Sequence, residues 1–226
     1  MYIGIGLGVL VLLGFISYFR AAAKVPTYDT KTLLDGLASD TQTLIDIAKK
    51  YFEPLSADQL RRRPNPKSWS VGECLEHLNL YGEYYIPALQ KALQAEGQPQ
   101  PTFKGSVLGE HFANLMRPKD DGQPKSKMST FSDKNPVLMS FVVTPEIVSA
   151  FIAQQEDMLK CISAARQKNL HRPKITITIT RLISLGIGDT LRFNTYHAQR
   201  HVAQALRVLQ STADREANTE ILQREG

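Results

Sequence analysis

Between Asp189 and Gln210 the chain contains neither proline nor glycine, and two histidines lie four residues apart inside Asn194-Thr195-Tyr196-His197-Ala198-Gln199-Arg200-His201-Val202-Ala203-Gln204. An unbroken stretch of this kind reads as a long helix, with Asp189 as its cap after the break at Gly186 and Gly188. Residues four apart on a helix stack on one face. Asn194, His197, His201, Gln204 and Val208 then share a narrow stripe. Leu191, Ala198, Val202, Ala205 and Leu209 form the apolar stripe beside it, and Arg192, Arg200 and Arg207 lie beyond the other side. The imidazoles therefore face the margin of a core. Together they can grip one metal ion, provided that a third ligand comes from another segment.

A second helix offers that ligand. Ser70 and Glu73 match a capping box, and Trp69 with Cys74 matches the accompanying hydrophobic staple. The helix so started is expected to reach about Ala95, kinked by Pro87. His77 falls in its second turn, on a stripe with Glu73, Cys74, Tyr81, Tyr84 and Ala88. That stripe adjoins apolar Val71, Leu75, Leu78, Ile86 and Leu89. In helix bundles, metal and ligand sites are built from side chains on facing helices. His77, His197 and His201 would supply three nitrogens and leave coordination positions open for water or substrate. Taken alone the signal is modest. A histidine on a helix is usually a surface or satisfied core residue, the capping box accounts for Glu73, and packing accounts for the tyrosines.

The rest of the chain sets the frame. Ile3 to Phe19 is uncharged and largely apolar, and Arg20 and Lys24 follow it. It reads as a slightly short membrane-spanning helix with interfacial Tyr2, Tyr18 and Phe19. The weak charge bias keeps the remainder on the cytoplasmic side. The rival reading is export after cleavage of a signal peptide at Ala21-Ala22-Ala23. Gly4 and Gly8 would let such helices pair into a homodimer, or are simply tolerated. Residues 1–24 are thus expected to be an anchor and flank, and residues 25–226 the folded body. Net charge is +5, of which +3 falls on the body, too mild to argue for nucleic acid. Arg61-Arg62-Arg63 reads as a solvated loop or a membrane-surface contact. Cys74 and Cys161 form no CxxC, and no disulfide framework is expected.

Helical spacing of Leu33, Leu37, Leu44, Ala48 and Tyr51 places a first helix from Asp29 to about Tyr51, stopped by Pro54, and Ser56 to Leu60 fits one further turn. Residues 97–143 form a long Pro-, Gly-, Lys- and Ser-rich connection with one amphipathic piece, Val107 to Met116. Such a connection crosses a bundle or covers a pocket. Thr144-Pro145 starts another helix, which ends near Asn169. Lys174 to Thr180 alternates with period two, and is expected as an edge passing over the bundle without a partner strand. His111 and His171 match no motif and read as surface residues, although His111 is placed to close over the site.

Two separated motifs carry a resemblance. Pro64-x-x-Lys67-Ser68-Trp69-Ser70-Val71-Gly72-Glu73-Cys74-Leu75-Glu76-His77-Leu78, followed by Tyr196-His197-x-x-Arg200-His201-x-x-Gln204, resembles the DinB-like superfamily over roughly residues 30–212. The resemblance implies an all-α four-helix bundle of up-down-down-up course, here with an N-terminal transmembrane helix. It also implies a divalent metal, zinc or nickel foremost, held by His77, His197 and His201. The family includes thiol-dependent S-transferases and a maleylpyruvate isomerase. A metal-dependent transferase or hydrolase acting on a small molecule, such as a low-molecular-weight thiol, is the expectation, with Tyr81 and Glu73 as candidate catalytic groups. The alternative is a non-catalytic, membrane-tethered metal-binding or interaction module. No nucleic-acid partner is expected.

Overall fold

The computed structural model describes residues 24–126, 128–139, 141–178 and 182–225, with side chains as far as Ala213. Helix α1 (Thr30–Ile47) starts where the Asp29 carboxylate accepts the Thr32 N–H, 2.8 Å away, and it runs into a wider turn over Ala48–Phe52 before Pro54. Helix α2 (Ala57–Arg61) is a single turn held by a capping box between Ser56 and Gln59. Helix α3 (Val71–Ala92) starts at the Ser70–Glu73 capping box and continues through Pro87. Helix α4 (Val107–Met116) is the amphipathic piece of the long connection, capped by Ser106. Helix α5 (Glu146–Ala165) begins one residue later than expected. Pro145 occupies the cap position, so no side chain caps that end. Helix α6 (Ile187–Glu225) is the longest.

The four long helices form a ring in which α1 touches α5 and α6, and α3 touches α5 and α6; α4 lies outside it against α6. The interior divides into two apolar clusters. One contains Leu34, Tyr85, Phe103, Phe193 and Tyr196, and the other Phe52, Leu75, Phe151, Ala198 and Val202. On α6 the first ends at Tyr196 and the second begins at Ala198. On α3 the change falls between Leu78 and Tyr81. The stripe histidines sit at this seam, where neither greasy cluster has a claim on the space.

Two small ladders complete the architecture. Strand β1 (Thr27–Asp29) pairs antiparallel with β2 (Thr102–Lys104), Tyr28 opposite Phe103. Strand β3 (Lys174–Thr176) pairs antiparallel with β4 (Ser184–Gly186), Ile175 opposite Leu185. The expected lone edge is thus half of a hairpin. Only three residues on each side pair, too few for the partner strand to show an alternation of its own.

Two further expectations are corrected. Asp189 lies in the first turn of α6 and does not cap it. Its Oδ2 accepts from the Ser106 N–H and hydroxyl, each at 2.9 Å, and so ties α4 to α6. The two helices approach so closely there that a Cβ on Gly109 would stand 2.0 Å from the Asp189 Cγ. Among the described residues the fold is mostly helical with six helices, the four long ones and the two short ones expected near Ser56 to Leu60 and Val107 to Met116. The expected N-terminal transmembrane helix, and with it the single-pass membrane location, is not supported: among the described residues no helix is long and apolar enough to cross a membrane. The physical reason is that each long helix carries a polar stripe beside its apolar one, as α6 does with Arg192, Arg200 and Arg207. Residues 3–19, on which that expectation fell, lie outside the described residues.

Candidate metal centre

His77 is delivered by the second turn of α3, and His197 and His201 by two successive turns of α6; all three are buried. One nitrogen from each ring lies within 4.8 Å of the other two. The Nε2 atoms of His77 and His197 stand 3.2 Å apart. In a tetrahedral zinc site, neighbouring nitrogen ligands are about 3.3 Å apart. Ring centroids are separated by 5.1 Å for His77 and His197, 4.5 Å for His77 and His201, and 4.7 Å for His197 and His201.

The hydrogen bonds around the cluster set the tautomers. The Nδ1–H of His77 donates to the Lys134 carbonyl at 2.7 Å, and that of His201 to the Gln204 amide oxygen at 3.0 Å. Both rings therefore present an Nε2 lone pair inward. Outer partners of this kind orient the histidine ligands of metal sites. Burial, aided by mutual repulsion within the cluster, holds His197 and His201 well below their ordinary pKa, and burial lowers His77 to about 4. At neutral pH the cluster is three uncharged imidazoles. No carboxylate joins it among the described residues. Three neutral imidazole nitrogens that converge without a carboxylate suit a Lewis-acidic cation, so the donor set fits a divalent metal with positions left open.

Around the cluster the walls are aromatic. Tyr81 packs its ring 4.9 Å from His77 and 4.6 Å from His197. Burial pushes its hydroxyl up to about 12, so it stays protonated. Trp69 stacks on His201 at 5.8 Å and leans on His77 at 5.0 Å. Phe193 stacks on His197 at 5.9 Å. A cavity of about 60 Å³ lies against the three rings, closed on one side by Met128, Thr130 and Phe131 of the long connection. The Lys134 ammonium fastens this strap to α3 by donating to the Leu80 carbonyl at 3.3 Å.

Glu73 lies outside the cluster. Its Oε2 accepts from the Ser70 N–H at 2.8 Å and from the Arg63 Nε at 2.9 Å, and its Oε1 pairs with the Arg63 Nη2. Both oxygens are thus occupied at the start of α3. Arg61 pairs with Asp58. His111 is exposed against Phe112 and His171 against Phe103, both away from the cluster. Cys74 and Cys161 are buried free thiols, and burial raises both well above the usual thiol range. Sequence reasoning missed the Lys134 carbonyl, since any residue type supplies that acceptor. It also missed Trp69 as a wall of the site, although a residue flanking a capping box is placed to reach the turns that follow.

No curated protein and no solved structure matches the chain significantly. The DinB superfamily model matches residues 41–205, most of the chain and all three histidines. The chain therefore belongs to the DinB superfamily.

Proposed function

We propose that His77, His197 and His201 hold one divalent metal ion, zinc or nickel foremost, and that the chain uses it to transform a small molecule, with thiol S-transfer as the leading reaction and hydrolysis next. The observation that carries this is the convergence of three buried, neutral imidazoles whose inward nitrogens have no acid to share. When bound, such an ion lowers the pKa of a thiol or water that coordinates it and so makes a nucleophile near neutral pH. The chain's own side chains supply the rest. The Nδ1 bonds of His77 and His201 hold their rings in register. Trp69, Phe193 and Tyr81 keep the surroundings apolar, which strengthens every polar contact inside. Tyr81, protonated and with its ring against two of the histidines, is our candidate to give a hydrogen bond or a proton to a departing atom, once its hydroxyl leaves Thr178. Glu73 serves through its bonds to Arg63 and Ser70, which fix the start of the helix that carries His77.

A non-catalytic metal-binding module is the second reading. It is favoured by the small volume of the inner cavity, about 60 Å³, room for an ion and little more unless the strap over residues 128–135 yields.

Elemental analysis of the purified full-length chain tests the metal directly. The expected result is about one divalent ion per chain, falling below about a tenth in His77→Ala and His201→Ala. Equal metal content in all three would sink the proposal. Turnover then separates the two readings. With a small thiol and an alkyl halide, Tyr81→Phe should keep its metal and lose about 100-fold in rate. Absence of any turnover by the loaded protein would favour the module.

A further inference from the structure

On the outer side of His201 runs a wider cleft of about 650 Å³. Its lining includes three cations: Lys67 from the segment before α3, and Arg200 and Arg207, about two turns apart on α6. Among the described residues no aspartate or glutamate lines it. The two guanidinium groups are anchored on backbone carbonyls, and neither forms a salt bridge among the described residues. Arg200 donates to the carbonyls of Leu115 at 3.3 Å and Ser126 at 2.7 Å, and Arg207 to the Gly122 carbonyl at 2.6 Å. Arg63, Arg166 and Arg192 by contrast each have a carboxylate partner. The carboxylate that acts on Arg207 is Asp121, which does not line the cleft and accepts the Gln123 N–H at 2.8 Å. Three cations that line one concavity without a carboxylate among its described lining focus a positive potential into it. Both arginines keep N–H groups beyond those spent on carbonyls, in a planar fork that matches carboxylate and phosphate oxygens. The lining also includes apolar Trp69, Met128 and Val208. His201 lines both this cleft and the inner cavity, so a molecule seated here reaches the edge of the histidine cluster.

We propose that the cleft outside His201 binds a small organic anion, its carboxylate or phosphate held by Lys67, Arg200 and Arg207 and its apolar body laid against Trp69. This deepens the metal-centre reading and rests on it for the fate of the bound molecule, but not for the binding itself.

The test is calorimetric titration of the full-length protein, metal-free and zinc-loaded, at low ionic strength. Benzoate and phenyl phosphate are the anionic probes, benzamide is the neutral control and inorganic phosphate the bare ion. Saturable binding of benzoate or phenyl phosphate is expected in both forms, with benzamide about tenfold weaker or worse. The Lys67→Gln/Arg207→Gln double variant should bind the anion about tenfold more weakly while keeping its metal and helix content, and Arg207→Lys should restore most of the loss. If the double variant does not fold, each single substitution is read in its place. Wild-type affinity in the charge-deleted proteins, benzamide binding as well as benzoate, or no anion binding at all would overturn the proposal. Binding seen only with zinc and surviving the charge deletions would assign the anion to the metal and overturn it equally. Equal affinity for inorganic and phenyl phosphate would remove the apolar wall from the site. Metal content of the same samples is a separate readout. A protein that takes up no zinc fails the metal-centre reading and leaves the anion result standing.

Discussion

Helix α6 carries two buried polar clusters, and they are built on opposite terms. Near its start, Arg192 is 1% exposed, yet it is surrounded by partners: Glu110 at 2.7 Å, the Tyr28 hydroxyl at 2.8 Å and Asp189 at 3.5 Å, with the Tyr28 ring 4.7 Å from the guanidinium carbon. Burial alone would pull Arg192 down, but Glu110 and the tyrosines Tyr28 and Tyr196 outweigh it and leave the guanidinium more basic than usual. Asp189 is raised by burial, against the pull of Ser106 and Arg192. Apart from the Arg192 Nε, every charged atom there that is shut away from water has an answer. Two turns further on, His197 and His201 are also buried, and among the described residues their rings meet other aromatic rings, each other, His77 and Gln204, with no charged partner in hydrogen-bond contact. A cluster that is satisfied holds the fold together, here by clamping α4 and β1 to α6. A cluster left with lone pairs to spare is a place where something else binds.

That contrast can be broken at either end. The largest effect is expected from Arg192→Met, which strands Glu110 and Asp189 and should cost about 3–5 kcal/mol in urea denaturation while leaving the metal content of the folded fraction unchanged. A loss of metal equal to the loss of fold would mean that the two clusters are not separable. The next effect is in pH. His77 is neutral in the folded protein down to about 4, against 6.5 in the unfolded chain, so the unfolded state binds more protons in between. Metal-free protein should therefore lose on the order of 3 kcal/mol from this residue as pH falls from 6.5 to 4. Stability that stays flat across that window would show that His77 is not held as described. Gln204→Leu frees the His201 ring to turn; metal affinity should drop about 10- to 100-fold with little change in stability, as metal titration would read. Ser70→Ala removes the cap of α3 and should cost about 1 kcal/mol by thermal denaturation, the smallest of the four.

The parts of this molecule that were legible beforehand are those with short-range signatures. Ser70 and Glu73 specify a helix start within four residues, and Val107 to Met116 is amphipathic in its own right, so both elements are where periodicity puts them. The convergence of His77 on His197 and His201 was legible only as a stripe on each of two helices plus a family resemblance. Neither stripe contains the information that α3 and α6 are neighbours. Pairings set by distant residues were not legible. The ladders of β1 with β2 and of β3 with β4 span three residues each; the alternation from Lys174 marked β3 as extended, but nothing local marked its partner or the other ladder. Asp189 illustrates a different limit. The same side chain that can cap a helix can instead bridge to Ser106, and only the approach of α4 decides between the two roles.

The chain has a single tryptophan, and it is Trp69. Its indole stacks on one histidine of the cluster and touches a second. Ultraviolet emission from the whole molecule at tryptophan wavelengths thus originates within a ring's width of the site. An open-shell ion such as nickel or copper arriving there will quench that light, zinc will not, and a shift of the strap will change its colour, so the protein reports on its own centre without any added label.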